Sequence, residues 1–126
     1  SDEDVRRVLK SGRRRMPVHS EDEPRNRAAR AAYAGHDPTD HPHVRDAESA
    51  RLSTERLLRL SAETGRDVHV LHISTADELP MLADAKRALG TTCEVTPQHL
   101  WFSSDDYARL GTRLQMNPPI RSRDHR

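Results

Sequence analysis

The stretch "RDVHVLHISTADE", Arg66 to Glu78, decides the fold class and raises the question of function. An apolar run with alternating polar positions reads as a strand, "DVHVLHIS", over 67–74. Thr75 and Glu78 then have the spacing of a capping box, so a helix follows at once. Strand alternation puts Val68, Val70 and His72 on one face and His69, Leu71 and Ile73 on the other. His72 ends its row at the carboxyl end of the strand, where it can reach a site. His69 lies near the strand start and reads as a structural histidine packed under helices.

Working outward, Asp46 caps a helix over "AESARLSTERLLRLSAETG". Ala47, Ala50, Thr54, Leu57, Leu58 and Ser61 line one face of it, Arg51, Glu55 and Arg59 form i,i+4 pairs on another, and Gly65 ends it. Upstream, "RMPVHSED" holds a strand over Met16–Ser20. Before it comes a helix started by Ser1 and Asp2, with Val5, Val8 and Leu9 apolar and Gly12 as its stop. Residues 23–45 read as a long polar connection with one helical turn around Arg27–Tyr33. Downstream, Leu79, Leu82, Ala83, Lys86 and Leu89 carry a helix ended by Gly90. "TCEVTP" is a third strand stopped by Pro97, "SSDDYARLG" a short helix, and "QMNPPIR" an extended segment. Strands alternating with helices imply an α/β fold with a parallel sheet and right-handed crossovers.

The composition narrows the function classes. With 21 basic and 20 acidic side chains the net charge is +1, and no charged block argues for nucleic acid. No apolar run is long enough for a membrane span. A lone cysteine, Cys93, excludes an internal disulfide, fits a reducing compartment and reads as a small core residue, so a cytoplasmic protein is expected. Hydrophobic residues make up 33% and aromatics 3%, lean for a self-sufficient domain, and "SDEDVRRVLKSG" starts abruptly, as part of a longer chain would.

In parallel α/β sheets the working residues sit at the carboxyl ends of strands. Here the first strand runs into His19, Ser20, Glu21 and Asp22, the second into His72, Ser74 and Thr75, and the third carries Glu94 and Thr96 before Gln98 and His99. His19 and His72 together favour a metal site, since imidazole is the commonest zinc ligand. They are far apart in sequence, so only the fold can join them. Glu21 and Asp22 are either exposed carboxylates or partners that orient His19. Glu94 on an inner face needs a cationic or hydrogen-bonding partner. His36, His41 and His43 read as solvent histidines of the polar connection, and the arginines at 13–15 as a solvated turn.

Four ordered motifs, "MPVHSEDE", "HPHVRDAESARLSTERLLRLSAETGRDVHVLHIST", "CEVTPQHLWFS" and "QMNPPIR", resemble the central part of dihydroorotases in the amidohydrolase superfamily. The resemblance implies a (β/α)8 TIM-type barrel with one or two zinc ions, of which residues 1–126 supply about three parallel strands, the fifth to seventh, with flanking helices. It implies His19 and His72 as metal ligands and Asn117 as a contact to the substrate ring or its carboxylate. It places His99 near the substrate. The family's first-strand "HxH" or "HxR", its bridging lysine or aspartate and its "DHAPH" acid/base aspartate are absent, and Lys10 and Lys86 sit in helix patterns. A full barrel takes about 250 residues, so a partial metal-dependent hydrolase domain is expected, inactive alone.

The implied reaction interconverts N-carbamoyl-L-aspartate and L-dihydroorotate, small molecules of pyrimidine synthesis. A hydantoinase, dihydropyrimidinase or allantoinase is the nearest alternative; Asp22 and Asn117 favour dihydroorotase. A non-catalytic partner of aspartate carbamoyltransferase is a further one, and a homodimer is possible within the same reading. An arginine-rich interaction module over 13–51 is disfavoured by the balanced charge.

Overall fold

Capping signals set most of the helix boundaries. The structure, a computed structural model, describes residues 1–33 and 37–126. In chain order the main elements are α1 (Asp2–Lys10), β1 (Met16–Val18), α2 (Glu23–Ala32), α3 (His41–Val44), α4 (Ala47–Thr64), β2 (Val68–Val70), α5 (Leu79–Leu89), β3 (Thr92–Cys93), α6 (Pro97–Trp101) and α7 (Tyr107–Leu110). Ser1 and Asp4 form a capping box on α1. The Asp46 side chain accepts from the Ser49 N–H at the start of α4, and Gly65 closes that helix in the left-handed region at φ 68°.

The three strands are parallel in the order β1–β2–β3, with Met16 opposite Val68, Pro17 opposite His69, and His69 opposite Thr92. Val68 and Val70 are fully buried against Leu9 of α1, Leu57, Leu58 and Leu60 of α4, and Leu82 and Ala85 of α5. Helices therefore cover one face of the sheet. A smaller cluster of Tyr107, Leu114 and Ile120, with Phe102, Leu110 and Met116 against it, organises the C-terminal turns. No described helix is long and apolar enough to cross a membrane.

Several expectations change. Residues 23–45 are not one open loop: Asp22 accepts from the Arg25 N–H and starts the ten-residue α2, with Pro24 in its first turn, and α3 follows a 3-10 turn over Pro38–Asp40. Pro97 does more than stop a strand, because it opens α6. Val8 and Cys93 are exposed, the latter because β3 is an edge strand. The strands are also shorter than the sequence patterns. β2 ends at Val70, and His72 adopts φ 38°, which breaks the alternation.

Candidate active site

The alternation holds only through Val70, after which Ile73 joins Val68 and Val70 in the core, and the faces are reversed. Val68 and Val70 point at the helices, so His69 points to the opposite, uncovered face of the sheet. There its Nδ1 pairs with Thr92 Oγ1 at 2.7 Å and its Nε2 with Glu94 Oε2 at 3.3 Å, which gives Glu94 the partner it needs. His69 is thus not packed under helices. A regular strand would have carried His72 under the helices with Val70. The left-handed backbone at His72 takes it out of that row.

Main-chain bonds hold both sides of that turn. The Leu71 N–H donates to the Val18 carbonyl at 3.0 Å and the Ile73 N–H to the Glu94 carbonyl at 2.7 Å. The Val18 carbonyl immediately precedes His19, so the two histidines meet. Their ring centroids are 4.8 Å apart at 74°, and His19 Nδ1 lies 3.0 Å from His72 Nε2. The other nitrogen of His19, Nε2, is 2.9 Å from Glu21 Oε2. Glu21 also accepts from Arg45 through Nε at 3.0 Å and through Nη2.

Burial works against a charge on Glu21, but the bonds from His19 and Arg45 outweigh it and hold its carboxyl below the usual range. An ionised Glu21 fixes the proton of His19 on Nε2 and leaves the Nδ1 lone pair facing His72. Burial, then the neighbouring His19, lowers the pKa of His72, so it is a neutral donor or ligand. Its Nδ1 is buried without a protein partner.

This donor pair fits part of a zinc site. Two nitrogens on one tetrahedral zinc at about 2.0–2.1 Å stand roughly 3.3 Å apart, close to the 3.0 Å found. Among the described residues no group of three or more His, Cys, Asp or Glu is placed to hold a metal ion. The two imidazoles alone leave such a site short of ligands.

The other candidates lie apart. Asn117, cis to Pro118, is exposed and lines a polar cleft with Arg30, Tyr33, His41 and Arg45. Arg45 is thereby a wall of that cleft and, through Glu21, a support of His19. His99 is buried: its Nε2–H donates to the Pro118 carbonyl at 3.0 Å and its Nδ1 accepts from Thr96 Oγ1 at 2.8 Å. Burial lowers its pKa, so it is a neutral post that holds the Asn117 segment, with no ring nitrogen left for a ligand. His41 is no free solvent histidine, since its Nε2–H donates to the Met116 carbonyl at 2.9 Å, and His43 stacks on Tyr33 at 5.8 Å. His36 lies outside the described residues. Sequence reasoning did not single out Arg45, whose only local signal is its place before the Asp46 cap. It also passed over Arg121, a buried guanidinium that donates to Ser74 Oγ and to the Arg45 carbonyl.

No family model matches the chain. It is 39% identical to the dihydroorotase of Halobacterium salinarum over 107 residues, which is 85% of this chain and 24% of that protein. It is 47% identical to the dihydroorotase of Geobacillus thermodenitrificans over 68 residues, 53% of this chain and 16% of that one. The chain thus spans about a quarter or less of the length of these relatives. Its fold matches the L-hydantoinase (dihydropyrimidinase) of Arthrobacter aurescens with a TM-score of 0.92 at 26% identity, covering 99% of this chain and 29% of that one. It matches the dihydropyrimidinase of Brevibacillus agri NCHU1002 with a TM-score of 0.87 at 25% identity, covering 97% and 29%. Three parallel strands with this helical cover fit a partial TIM-type barrel, and the chain resembles a segment of dihydroorotase in sequence and of the hydantoinase and dihydropyrimidinase cyclic amidohydrolases in fold.

Proposed function

We propose that this chain is the central part of a zinc-dependent dihydroorotase, which interconverts N-carbamoyl-L-aspartate and L-dihydroorotate in the cytoplasm during pyrimidine synthesis. The observation that carries the reading is the approach of His19 Nδ1 to His72 Nε2 at 3.0 Å, with Glu21 fixing the tautomer. His19 and His72 would hold one metal. A bound zinc supplies a water of lowered pKa and polarises the amide carbonyl. Glu21 keeps the His19 proton on Nε2, and Arg45 keeps Glu21 ionised. Asn117 offers an amide donor and acceptor to the ring amide and carboxylate. The remaining ligands and the acid/base aspartate belong to barrel parts outside residues 1–126, so this segment alone has no turnover. A homodimer or an aspartate carbamoyltransferase complex is the expected assembly.

A second reading, a hydantoinase or dihydropyrimidinase, has the solved structures in its favour. The curated sequence relatives, with Asp22 and Asn117, favour dihydroorotate. Grafting residues 1–126 into the Halobacterium salinarum enzyme, in place of the matched stretch, separates the two. The expected graft hydrolyses dihydroorotate in preference to hydantoin, and His72→Ala removes both zinc and activity. A graft selective for hydantoin would refute the proposal. Asn117→Ala in the same graft should cost ~1–3 kcal/mol in kcat/KM, the range for a hydrogen bond to a charged group, with zinc content unchanged.

A further inference from the structure

Beneath the histidine pair lies a polar layer where a leucine core would be simpler. Ser20, Thr54, Ser74, Thr75 and Glu78 are all at least 95% buried. Thr54 Oγ1, from the middle of α4, is 2.6 Å from Glu78 Oε1 and 3.1 Å from Ser20 Oγ. With one hydroxyl proton Thr54 donates to one neighbour and accepts from the other. A carboxylate at Glu78 takes the Thr54 proton, and Ser20 then donates to Thr54. The Glu78 N–H donates to the Thr75 carbonyl at 3.3 Å, in the turn that follows His72. Ser20 directly follows His19, and Ser74 comes two residues after His72. The buried carboxyl of Glu78, on the segment that follows His72, is therefore linked through Thr54 to the residue that follows His19.

We propose that Glu78 is a positioning residue for the His19–His72 pair, its carboxyl anchoring the segment that follows His72 to Thr54 and, through it, to Ser20 beside His19. Burying such a group among hydroxyls is costly unless every partner is in place. The return for that cost is a fixed distance between two side chains on separate strands. The zinc part of the test rests on the functional reading above; the geometric part does not.

The test uses the 126-residue chain, labelled with 15N and 13C, in four forms: wild type, Glu78→Ala, Glu78→Gln and Thr54→Val. Glu55→Ala, on the exposed side of the same helix, is the control. Circular dichroism reports folding, the His19–His72 ring cross-peak reports the approach of the rings, and calorimetric titration with Zn2+ alone reports the site. Glu78→Ala and Thr54→Val are expected to keep helical content, lose the ring cross-peak and weaken zinc binding about tenfold, the lower range for outer-shell partners. Glu78→Gln, which keeps an acceptor for Thr54, recovers part of both. An unchanged cross-peak in Glu78→Ala overturns the proposal, as does an equal loss in Glu55→Ala. If Glu78→Ala fails to fold, Thr54→Val decides by the same criteria. If His19→Ala and His72→Ala leave wild-type zinc affinity unaltered, the metal reading fails, and the ring cross-peak alone judges Glu78.

Discussion

The two faces of the small sheet share the same strands yet carry opposite chemistry. On the helix-covered face Val68 and Val70 are completely buried among leucines of three helices. On the other face Pro17 and Glu94 are exposed, and His69 is partly so. The first face removes apolar area from water, which is the main favourable term in folding. The second holds polar groups that are satisfied by one another. Stability and chemistry are thus separated by a rotation of one residue along β2, and substitutions on the two faces should differ in kind.

The largest effect tests that separation directly. Leu60 is wholly buried on the covered face, so Leu60→Ala should cost ~2–5 kcal/mol in denaturant unfolding. His69→Ala, which loses two side-chain bonds on the open face, should cost about 1 kcal/mol. Equal losses would mean that the open face contributes packing as well.

A smaller effect sharpens the contrast between surface and interior carboxylates. Hydrogen bonds from Arg59 and then Arg56 hold the Asp2 carboxyl down to about 2, from 3.8. A lowered folded-state pKa stabilises the fold above the unfolded value, and that support is lost as pH falls from about 4 towards 2. Burial raises the Glu78 carboxyl instead. A raised pKa favours the fold at low pH, and this support is lost as pH rises from 4.5 through the folded value. Melting temperature against pH should therefore fall less steeply on its acid limb in Asp2→Asn and flatten on its upper side in Glu78→Gln. The reverse assignment would contradict the ion pairs at the α1–α4 contact.

Much of this was legible in the sequence because local signals agreed with the global fold. Asp46 and Gly65 bound α4 as the capping rules require, and strand-end placement put His19 and His72 at the same end of neighbouring strands, while the left-handed turn that brings the rings together carried no sequence signal. Residues 23–45 misled because Asp22, a helix start, sits inside a cluster of strand-end carboxylates and reads as part of that chemistry. The faces of β2 were reversed for a different reason. Alternation says which residues share a side, but only the packing of α1, α4 and α5 says which side is covered. Arg45 and Arg121 carry no periodic signal, since their roles depend on partners 24 and 47 residues away.

His72 has a consequence for how such a chain would drift. A non-glycine residue at φ 38° sits where a side chain costs ~1–2 kcal/mol over glycine. At that position the backbone alone favours glycine, and the imidazole serves the approach to His19. A change to glycine there would relieve the strain, whereas most other residues would keep it. Under the function proposed above, the use of the imidazole is what keeps a histidine at a backbone position that the fold alone would give to glycine.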